Sequence, residues 1–510
     1  MNKTLSLKTL ALGRLGMLAI ASSFCGLATA QIKDVKGTIT DSSGEPLIGV
    51  SIMEKGTSNG TVSDIDGNFT ISTNKSNTLV ISYLGYTSQE VNATSGKPLQ
   101  ILLKENTELL DEVVVVGYGT QKKVNLTGSV SSVSAKELAN KPVTSTAQAL
   151  AGLAPGLSVL QNSGRPGAGA SVKIRGTGTF SSAGNSPLVL IDGLSGSLDD
   201  VDPNDIQNIS FLKDAASASI YGNRAANGVI LIETKKGTTG KTTITYNGSF
   251  GWQSPTELPD FLPSWEYAEY YNMAMRNMGR QEAYTAEQIQ KYRDGSDPDN
   301  YPNVNHLKWL LESGSGFQHQ HNIGIQGGNT SMSYNLSIGY RNQEGMTANT
   351  NNERFTALFS MKSNLSKSLH LNLNINAYNN TYNAPNGEPQ SIDGMIGYTV
   401  REGAIYAGKK SDGSFGYQDN YSPEAWLNGE SFVKNISRNV SASGQLTWDT
   451  PIKGLSLIGK AGVTYWTKYD KAYRAETYFD ENKTIGPSAL NIWTANNTYT
   501  TFEALANYEK

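Results

Sequence analysis

The sequence predicts a mainly β protein in which an immunoglobulin-like β-sandwich, an α+β domain and a truncated transmembrane antiparallel β-barrel follow one another. Three observations predict this architecture. Short strands separated by turn residues fill residues 34–103, a mixed and glycine-rich stretch follows, and the second half of the chain alternates apolar with polar residues over long segments. Segments of about ten residues with this alternation are typical of transmembrane barrel strands.

The composition excludes several classes of protein. The chain has 510 residues, of which 17% are charged and 52 are glycine, and its formal net charge is -3. Nucleic acid is therefore not an expected partner, because binding to phosphates requires a basic surface. Cys25 is the single cysteine, so the sequence offers neither a disulfide framework nor a cysteine-based metal site.

Residues 1–30 have the pattern of a secretory signal peptide. Lys3, Lys8 and Arg14 precede and enter an apolar stretch over 15–20, and the segment ends in Ala28-Thr29-Ala30. A retained helical anchor is the less favoured alternative, because the apolar stretch is shorter than the roughly 20 residues that span a bilayer. We therefore expect an exported chain that begins at Gln31.

Residues 31–105 predict an antiparallel sandwich of short strands. Turn residues at 43–46, 66–68 and 95–98 separate six candidate strands. Asp64 opens a sequence that is similar to a calcium loop, but position 12 of that loop is Lys75 rather than glutamate, which favours an ordinary turn. The segment GTITDSSGEPLIGVSIMEKGTSNGTVSDIDGNFTI resembles the carboxypeptidase-regulatory-like domain, a resemblance that implies no catalysis.

Residues 106–122 form a tether that contains four successive valines, Val113 to Val116. Valine has a strong strand preference, yet this run has no period and no evident core to enter. An exposed extended segment of this kind suits strand addition to a partner's sheet. An ordinary buried strand of the next domain is the alternative.

Residues 123–238 predict an α+β domain. Ser134 to Glu137 is a capping box, Thr146 to Ala151 predicts a helical turn, and five short strands are expected between 157 and 233. Gly237 to Thr242 is similar to a phosphate-binding loop, but its first glycine would fall on Lys235, so the spacing fails and the motif is only weakly indicated.

The segments SGRPGAGASVKIRGTGTF, PLVLIDG and DPNDIQNISFLKDAASASIYGNRAANGVILIETKKG resemble the plug of SusC/RagA-type TonB-linked outer-membrane receptors. The resemblance covers residues 107–237 and departs from the family at Leu153-Ala154-Pro155, where a basic residue is expected before the Pro-Gly. It implies that the valine run is a TonB box, and it implies a set of characteristic plug residues. The box comprises Asp111, Glu112, Val113, Val114, Val115, Val116, Gly117 and Tyr118, and the plug set comprises Arg175, Gly176, Asp192, Gly193, Lys213, Asp214, Tyr221, Gly222, Arg224, Asn227 and Gly228.

The charges of that set are expected to be paired, either inside the plug or against the barrel wall. These charges are Arg175, Asp192, Lys213, Asp214 and Arg224. The alternative for each is a solvated position in a loop, because buried and paired charges are a minority in proteins.

Residues 239–510 predict the N-terminal part of the barrel. Eight alternating segments start near 243, 323, 332, 355, 369, 440, 455 and 502, and the expected connections alternate between long and short. Outer-membrane barrels pair long extracellular loops with short periplasmic turns in this way. A barrel that holds a plug needs on the order of 22 strands, so we expect either one half of a longer receptor or a truncated, non-functional one.

The apolar face of these strands is expected to face lipid and the Asn, Ser and Thr face to line the lumen. Tyr340 and Trp448 fit interfacial girdles, with ordinary packing as the alternative. His319 and His321 share one strand face, but no third ligand is evident, so a lumen or rim position is favoured over a metal site. Aromatic residues that are candidates for ligand contact occupy the long connections: Trp265, Tyr267, Tyr270, Tyr271, Tyr406, Tyr417, Tyr421 and Trp426.

The resemblance implies TonB-dependent import across the outer membrane, with the N-terminal domain in the periplasm. The implied partners are TonB, a SusD-like surface lipoprotein, outer-membrane lipid and a glycan or peptide ligand, with an oligosaccharide favoured over a peptide. A receptor that recruits a periplasmic regulator is the alternative. An enzyme has the least support, because no Ser/His/Asp constellation has recognisable spacing, and neither a cofactor nor a metal is expected.

Overall fold

The computed structural model describes residues 33–42, 44–57, 59–73, 78–83, 86–93, 98–104, 113–116, 119–122, 129–139, 141, 143–179, 184–386, 391–480 and 483–508. The predicted signal peptide lies outside them. The chain divides into two compact units, the first ending at Val113 and the second holding almost all of the rest. Among the described residues, no helix is both long and apolar enough to cross a bilayer.

The first unit is a sandwich of two sheets around one apolar core. Its sheets have the orders β4-β1-β7 and β3-β2-β5-β6, where the strands are β1 (Lys33–Thr40), β2 (Ser51–Glu54), β3 (Gly60–Val62), β4 (Asn68–Thr73), β5 (Thr78–Ser82), β6 (Gln89–Asn92) and β7 (Leu99–Leu102). Strand β7 runs parallel to β1, so the predicted antiparallel arrangement is wrong at this pair. The short strand β3 was not predicted from the sequence.

The prediction of an ordinary turn at Asp64 is confirmed by the hydrogen bonds of its side chain. Its Oδ1 accepts from the backbone N–H groups of Asp66 (3.0 Å) and Asn68 (2.8 Å). Gly67 adopts a φ of 76°, which favours glycine. The carboxylate is thus engaged in holding the turn.

A two-stranded sheet follows, made of β8 (Val113–Val116) and β9 (Gly119–Lys122). Strand β8 is the centre of the predicted TonB box. Of that box, Asp111, Glu112, Gly117 and Tyr118 lie outside the described residues. Since the described pairing is with β9 alone, β8 keeps a second edge to which another strand can add.

The next domain is α+β, as predicted. Its main sheet has the order β10-β15-β16-β13-β14, with β13 and β16 parallel, and β11 pairs with β12. Its strands are β10 (Val130–Ser134), β11 (Leu157–Leu160), β12 (Ser171–Ile174), β13 (Leu188–Ile191), β14 (Leu194–Ser195), β15 (Ile206–Leu212) and β16 (Val229–Thr234), its α-helices are Ala135–Ala139, Thr146–Ala149 and Ala215–Ala218, and its 3-10 helices are Leu198–Asp200, Pro203–Asp205 and Ser219–Ala225.

Local sequence signals account for these elements. Glu137 accepts from both the backbone N–H (2.7 Å) and the hydroxyl (2.8 Å) of Ser134, which fixes the predicted helix start. Strand β16 begins with a continuous apolar run, Val229 to Ile232, because both of its faces are covered. In β15 the side chains of Ile206, Ile209 and Phe211 are fully buried.

The second half forms an eight-stranded sheet in which each strand pairs antiparallel with the next. Its order is β17-β18-β19-β20-β21-β22-β23-β26. The strands are β17 (Gly240–Trp252), β18 (Phe317–Gly328), β19 (Met332–Glu344), β20 (Asn351–Asn364), β21 (Leu369–Pro385), β22 (Phe432–Asp449), β23 (Leu455–Arg474) and β26 (Ala489–Tyr508), and a small hairpin of β24 (Thr477–Asp480) and β25 (Lys483–Ile485) lies between the last two. All eight predicted strands are present.

The connections agree with the prediction except at one place. Long connections 253–316 and 386–431 contain the helices Ser264–Asn277, Ala286–Asp294, His306–Glu312, Ile392–Thr399 and Pro423–Asn428. The connection expected over 342–353 is instead short, because β19 continues to Glu344 and β20 resumes at Asn351. The strand ends consist of polar residues that still form the backbone hydrogen bonds of the sheet but do not alternate with apolar ones. The alternating pattern alone therefore underestimates the strand length.

The two faces of the sheet differ as predicted. On β19 the side chains of Ser333, Asn335 and Ser337 are at most 7% exposed, whereas Ile338 is 57% exposed. The outward apolar band on β22 runs from Trp448 to Val440, and the next outward residue is Arg438. About nine residues between the two ends match the length that spans a bilayer as a tilted strand.

Aromatic residues border this band. Tyr340 and Phe355 pair directly across β19 and β20 with ring centroids 4.7 Å apart, and Trp448 stands 45% exposed at the other end of the wall. This placement agrees with the girdle prediction. His319 and His321 lie on the outward face near the start of β18, paired opposite Phe250 and Tyr340. They therefore do not line the lumen, and the rim position stays a prediction.

Candidate functional site

The candidate site is the contact between the α+β domain and the inner face of the sheet wall. The wall presents Asn, Ser, Thr, Gln and Arg side chains there, since these are the inward residues of the alternating strands. The α+β domain meets them largely with backbone carbonyls and carboxylates. The contact is therefore polar, unlike the apolar cores on which the sandwich and the α+β domain are built.

One link joins the end of β13 to the wall through two charged side chains. Asp192 directly follows β13, and its carboxylate accepts from Lys236 Nζ (2.7 Å) and Thr234 Oγ1 (2.6 Å). Lys236 also donates to Asn374 Oδ1 on β21 at 2.6 Å. The Asp192 side chain is 11% exposed and that of Lys236 is 37% exposed. We call this chain of contacts the Asp192 link.

Two arginines hold the opposite side of the domain. Arg341 on β19 and Arg354 on β20 face each other directly across the two strands. Like charges in that register repel, but Arg341 donates to the carbonyl of Thr144 and Arg354 donates to that of Asp199 at 2.5 Å. The Arg354 guanidinium also lies 4.2 Å from the ring centroid of Tyr378.

Amides and hydroxyls complete the contact. Gln343 donates to Thr144 Oγ1 (2.9 Å) and accepts from the backbone N–H of Gly167 (3.1 Å). Ser360 donates to the carbonyl of Lys235 at 2.9 Å, and Asn376 donates to that of Asp200 at 3.0 Å. Each bond joins the domain to a different place on β19, β20 or β21, so the domain is held by many separate polar contacts.

A cavity of about 660 Å³ lies between the domain and the wall. Several residues of the predicted plug set line it together with inward residues of β21 and β23. The lining includes Asp192, Gly193, Tyr221, Arg224, Asn374 and Lys460. The structure thus brings together residues that are up to about thirty positions apart within the plug sequence.

The five predicted plug charges have different environments. Asp192 is paired with Lys236 against the wall. Lys213 donates to the Pro155 carbonyl (2.5 Å) and Arg224 to Ser195 Oγ (3.0 Å), so both meet neutral acceptors. Arg175 is exposed and has a φ of 55°.

Asp214 caps the helix Ala215–Ala218. Its Oδ1 accepts from the backbone N–H (2.8 Å) and the hydroxyl (2.7 Å) of Ser217, and its Oδ2 accepts from the backbone N–H of Ser129. These hydrogen bonds, first those from the backbone of Ser217 and Ser129, lower the pKa of Asp214 to about 2. The residue therefore has a structural role in joining β10 to this helix.

The glycines of the plug set occupy left-handed backbone. Gly176, Gly193, Gly222 and Gly228 all have φ between 63° and 89°. At Gly228 a Cβ atom would also lie 2.9 Å from Ile174 Cδ1 and 3.0 Å from the Leu212 carbonyl. Asn227, beside it, donates to the carbonyls of Gly184 (3.2 Å) and Ser186 (3.4 Å).

The aromatic residues of the connections fall into two groups. Tyr421 and Trp426 are 6% and 3% exposed and pack edge to face at 4.4 Å within a small apolar core, so the prediction that they contact a ligand is wrong. Tyr270 and Tyr271 are 54% and 37% exposed. Trp265, Tyr267, Tyr406 and Tyr417 are partly buried.

The contacts of Lys236, Asn374, Arg341 and Arg354 were not predicted from the sequence. Lys236 is the second lysine of the segment IETKKG, but its partner on β21 is 138 positions away. Both arginines occupy the inward register of their strands, next to smaller polar residues, and this is the signal that could have marked them. A buried histidine and two buried glutamates in the connections, His306, Glu402 and Glu424, were likewise not predicted from the sequence.

Comparisons with known proteins agree with this architecture. A CarboxypepD_reg-like domain model matches residues 35–115, and a TonB-dependent Receptor Plug Domain model matches residues 122–229. TonB-dependent receptor SusC of Bacteroides thetaiotaomicron is 37% identical over 356 residues, which are 67% of this chain and 33% of that receptor. TonB-dependent receptor P26 of Formosa agariphila is 35% identical over 407 residues, covering 77% of this chain and 38% of that receptor.

Among solved structures, the RagAB peptide importer in its open-open state is similar, with a TM-score of 0.63 and 27% identity. The similarity covers 78% of this chain and 47% of that chain. The chain thus spans about a third of the length of the curated relatives. Those relatives are receptors and not enzymes.

Proposed function

The chain is a SusC-like TonB-dependent receptor of the outer membrane, and on that basis we propose that it imports a nutrient through the region now filled by its plug. The observation that carries this proposal is the polar contact between plug and wall. Hydrogen bonds to Asn, Ser and Arg side chains can be exchanged for bonds to water as the plug moves, whereas an apolar core of similar size would resist separation.

The valine run is the proposed segment to which TonB binds to move the plug. Strand β8 has one edge that is unpaired within the described residues, so a TonB strand can add there through main-chain hydrogen bonds. The predicted box, Asp111 to Tyr118, would transmit the pull to the plug that begins after it. In this proposal the sandwich domain lies in the periplasm.

For the substrate we favour an oligosaccharide over a peptide, delivered with a SusD-like lipoprotein on the extracellular side. The exposed rings of Tyr270 and Tyr271, on the helix Ser264–Asn277, offer flat apolar faces among polar residues. Sugar rings stack on such faces. A peptide remains the alternative because the RagAB structure is that of a peptide importer.

One experiment tests both parts of this proposal. Cells that carry the receptor are given labelled oligosaccharides or labelled peptides, and uptake is compared among the native chain, Val114→Pro and Val114→Ile. Proline removes a ladder donor, so Val114→Pro should abolish uptake without affecting binding at the surface, whereas isoleucine should preserve uptake. Uptake that persists in Val114→Pro would refute the TonB-box assignment. Peptide uptake that depends on Val114 would refute the oligosaccharide assignment alone.

A further inference from the structure

Three ionisable side chains meet inside the folded connections, away from the plug. His306 is the first residue of the helix His306–Glu312, Glu402 follows the helix Ile392–Thr399, and Glu424 lies in the helix Pro423–Asn428. Their side chains are 1%, 1% and 3% exposed. Among the described residues, this is the one group of three or more His, Cys, Asp or Glu whose potential ligand atoms lie within 4.8 Å of one another.

The surroundings hold the three side chains in place. The apolar cluster of Leu310, Ile392, Met395, Tyr421, Trp426 and Leu427 includes residues of all three helices. Thr399 and Tyr421 share a hydrogen bond of 2.6 Å at the end of the helix that precedes Glu402. The three side chains therefore project from a packed scaffold.

The hydrogen-bonding capacity of the two carboxylates is largely unused. Glu424 Oε1 lies 2.9 Å from His306 Nδ1, and Glu402 Oε2 lies 3.9 Å from the same nitrogen. Neither oxygen of Glu402, nor Oε2 of Glu424, receives a hydrogen bond from a described residue. A buried carboxylate without donors is costly, so these oxygens point to a positively charged ligand.

The neighbouring arginine does not supply that charge. The Arg401 guanidinium lies 4.7 Å from the ring centroid of Tyr398, and its Nε donates to the carbonyl of Gly397 at 3.2 Å. It is thus directed along the preceding helix, Ile392–Thr399, rather than towards Glu402.

The histidine is oriented as a metal ligand. Its Nε2 lies 3.1 Å from the carbonyl oxygen of Tyr406. Because a carbonyl can only accept, Nε2 carries a proton and Nδ1 faces the two carboxylates. The proton that Nδ1 shares with Glu424 Oε1 would be released when a cation binds, which leaves the Nδ1 lone pair as the ligand. A histidine whose second nitrogen is bound to a carbonyl in this way is the usual arrangement at metal sites.

We propose that His306, Glu402 and Glu424 bind a zinc-like divalent cation that joins the two long connections, 253–316 and 386–431. Zinc bonds of about 2.0 to 2.2 Å in tetrahedral geometry place neighbouring donor atoms roughly 3.3 Å apart. The separations of Nδ1 from the two glutamate oxygens, 2.9 and 3.9 Å, lie on either side of that value. The fourth position is left to a second glutamate oxygen or to water.

The donor set selects the class of cation. One imidazole and two carboxylates suit zinc and neighbouring transition metals. Calcium takes six to eight oxygen ligands, and a site of one nitrogen and two carboxylates does not provide them. In the cation-bound state, two ionised glutamates and a neutral histidine would supply two negative charges, which a divalent cation neutralises.

The test uses the purified receptor in detergent, stripped with a chelator and titrated with zinc alone against a competing indicator. The native chain should bind one zinc ion tightly. Glu402→Gln and Glu424→Gln keep the shape of each side chain and should weaken binding by more than about 100-fold, since even an outer-shell change costs about 10- to 100-fold. The control is the double variant His319→Ala/His321→Ala, which removes the histidine pair on β18 and should bind zinc as the native chain does.

A second measurement guards against variants that fail to fold. Zinc added to the stripped native chain should slow hydrogen exchange in 392–428 and leave the barrel strands unchanged, and X-ray absorption should show nitrogen and oxygen ligands. Zinc binding that survives Glu402→Gln but is lost in the His319/His321 variant would refute the site. So would the absence of binding at micromolar zinc. Neither result bears on the import proposal, which uptake tests separately.

Discussion

Replacing Asp192 by asparagine should loosen the plug next to the barrel wall. Asparagine has the same shape and tolerates the left-handed backbone found here, where φ is 46°. The change therefore isolates the charge that receives hydrogen bonds from Lys236 Nζ (2.7 Å) and Thr234 Oγ1 (2.6 Å). The outcome tests whether the Asp192 link holds the end of β13 to β21.

The magnitude follows from the type of bond. Hydrogen bonds to a charged group contribute about 1.5 to 3 kcal/mol, and those between neutral groups about 0.5 to 1.5 kcal/mol. The 37% exposure of Lys236 reduces its share through solvent screening. We therefore expect local opening to become easier by about 1 to 2 kcal/mol, which is a factor of about 5 to 30.

Hydrogen-exchange mass spectrometry on the purified receptor measures this opening directly. Peptides that cover 188–195 and 229–236 should exchange faster by that factor, and peptides from the sandwich should not change. Asp260→Asn, which alters an exposed carboxylate in a connection, is the matched control. Unchanged exchange in both plug peptides would show that the link does not hold the plug.

Two further predictions concern the internal stability of the plug. Asp214→Ala removes a helix cap and should destabilise the plug by about 0.5 to 2 kcal/mol in urea unfolding at neutral pH. Because the pKa of Asp214 is lowered from 3.8 to about 2, the stabilisation by its carboxylate should be present above pH 4 and disappear as the pH falls towards 2. A loss of stability in the variant that persists in acid would contradict this prediction. Gly228→Ala should destabilise the plug more than Gly176→Ala in the same assay. Both positions have positive φ, but a Cβ atom at 228 would contact Ile174 and Leu212, whereas a Cβ atom at 176 would have no atom within 4 Å. Equal losses of stability in the two variants would mean that packing at Gly228 is unimportant.

The barrel strands could be predicted because the alternating pattern that identifies a strand lies within that strand. Alternation along a strand indicates which of its faces contacts lipid, and the neighbouring strand need not be known. The same property explains the error at 342–353, where strand ends leave the membrane and lose the apolar pattern. The parallel pairing of β1 with β7 was missed because alternation does not specify the partner strand.

The connections were harder to interpret. Ile392, Met395, Ile396 and Thr399 have the spacing of one helix face, and three of them are buried. This signal was available, and it would have indicated a small core among the loops and placed Tyr421 and Trp426 inside it. The cluster of His306, Glu402 and Glu424 gave no comparable signal, because His306 lies about a hundred positions before the two glutamates and the three residues come together through the packing of three helices.

The length of the strands sets a minimum reach for any partner anchored in the membrane. The outward apolar band on β23 ends at Tyr465, yet the strand continues to Arg474. Nine residues at about 3.3 Å each, tilted by about 40°, raise the rim of the wall roughly 20 Å above the lipid. A lipoprotein that docks on the connections 386–431 and 475–488 must therefore bridge that height between its acyl chains and its folded domain. At about 3.3 to 3.6 Å per extended residue, this requires a linker of at least about six residues.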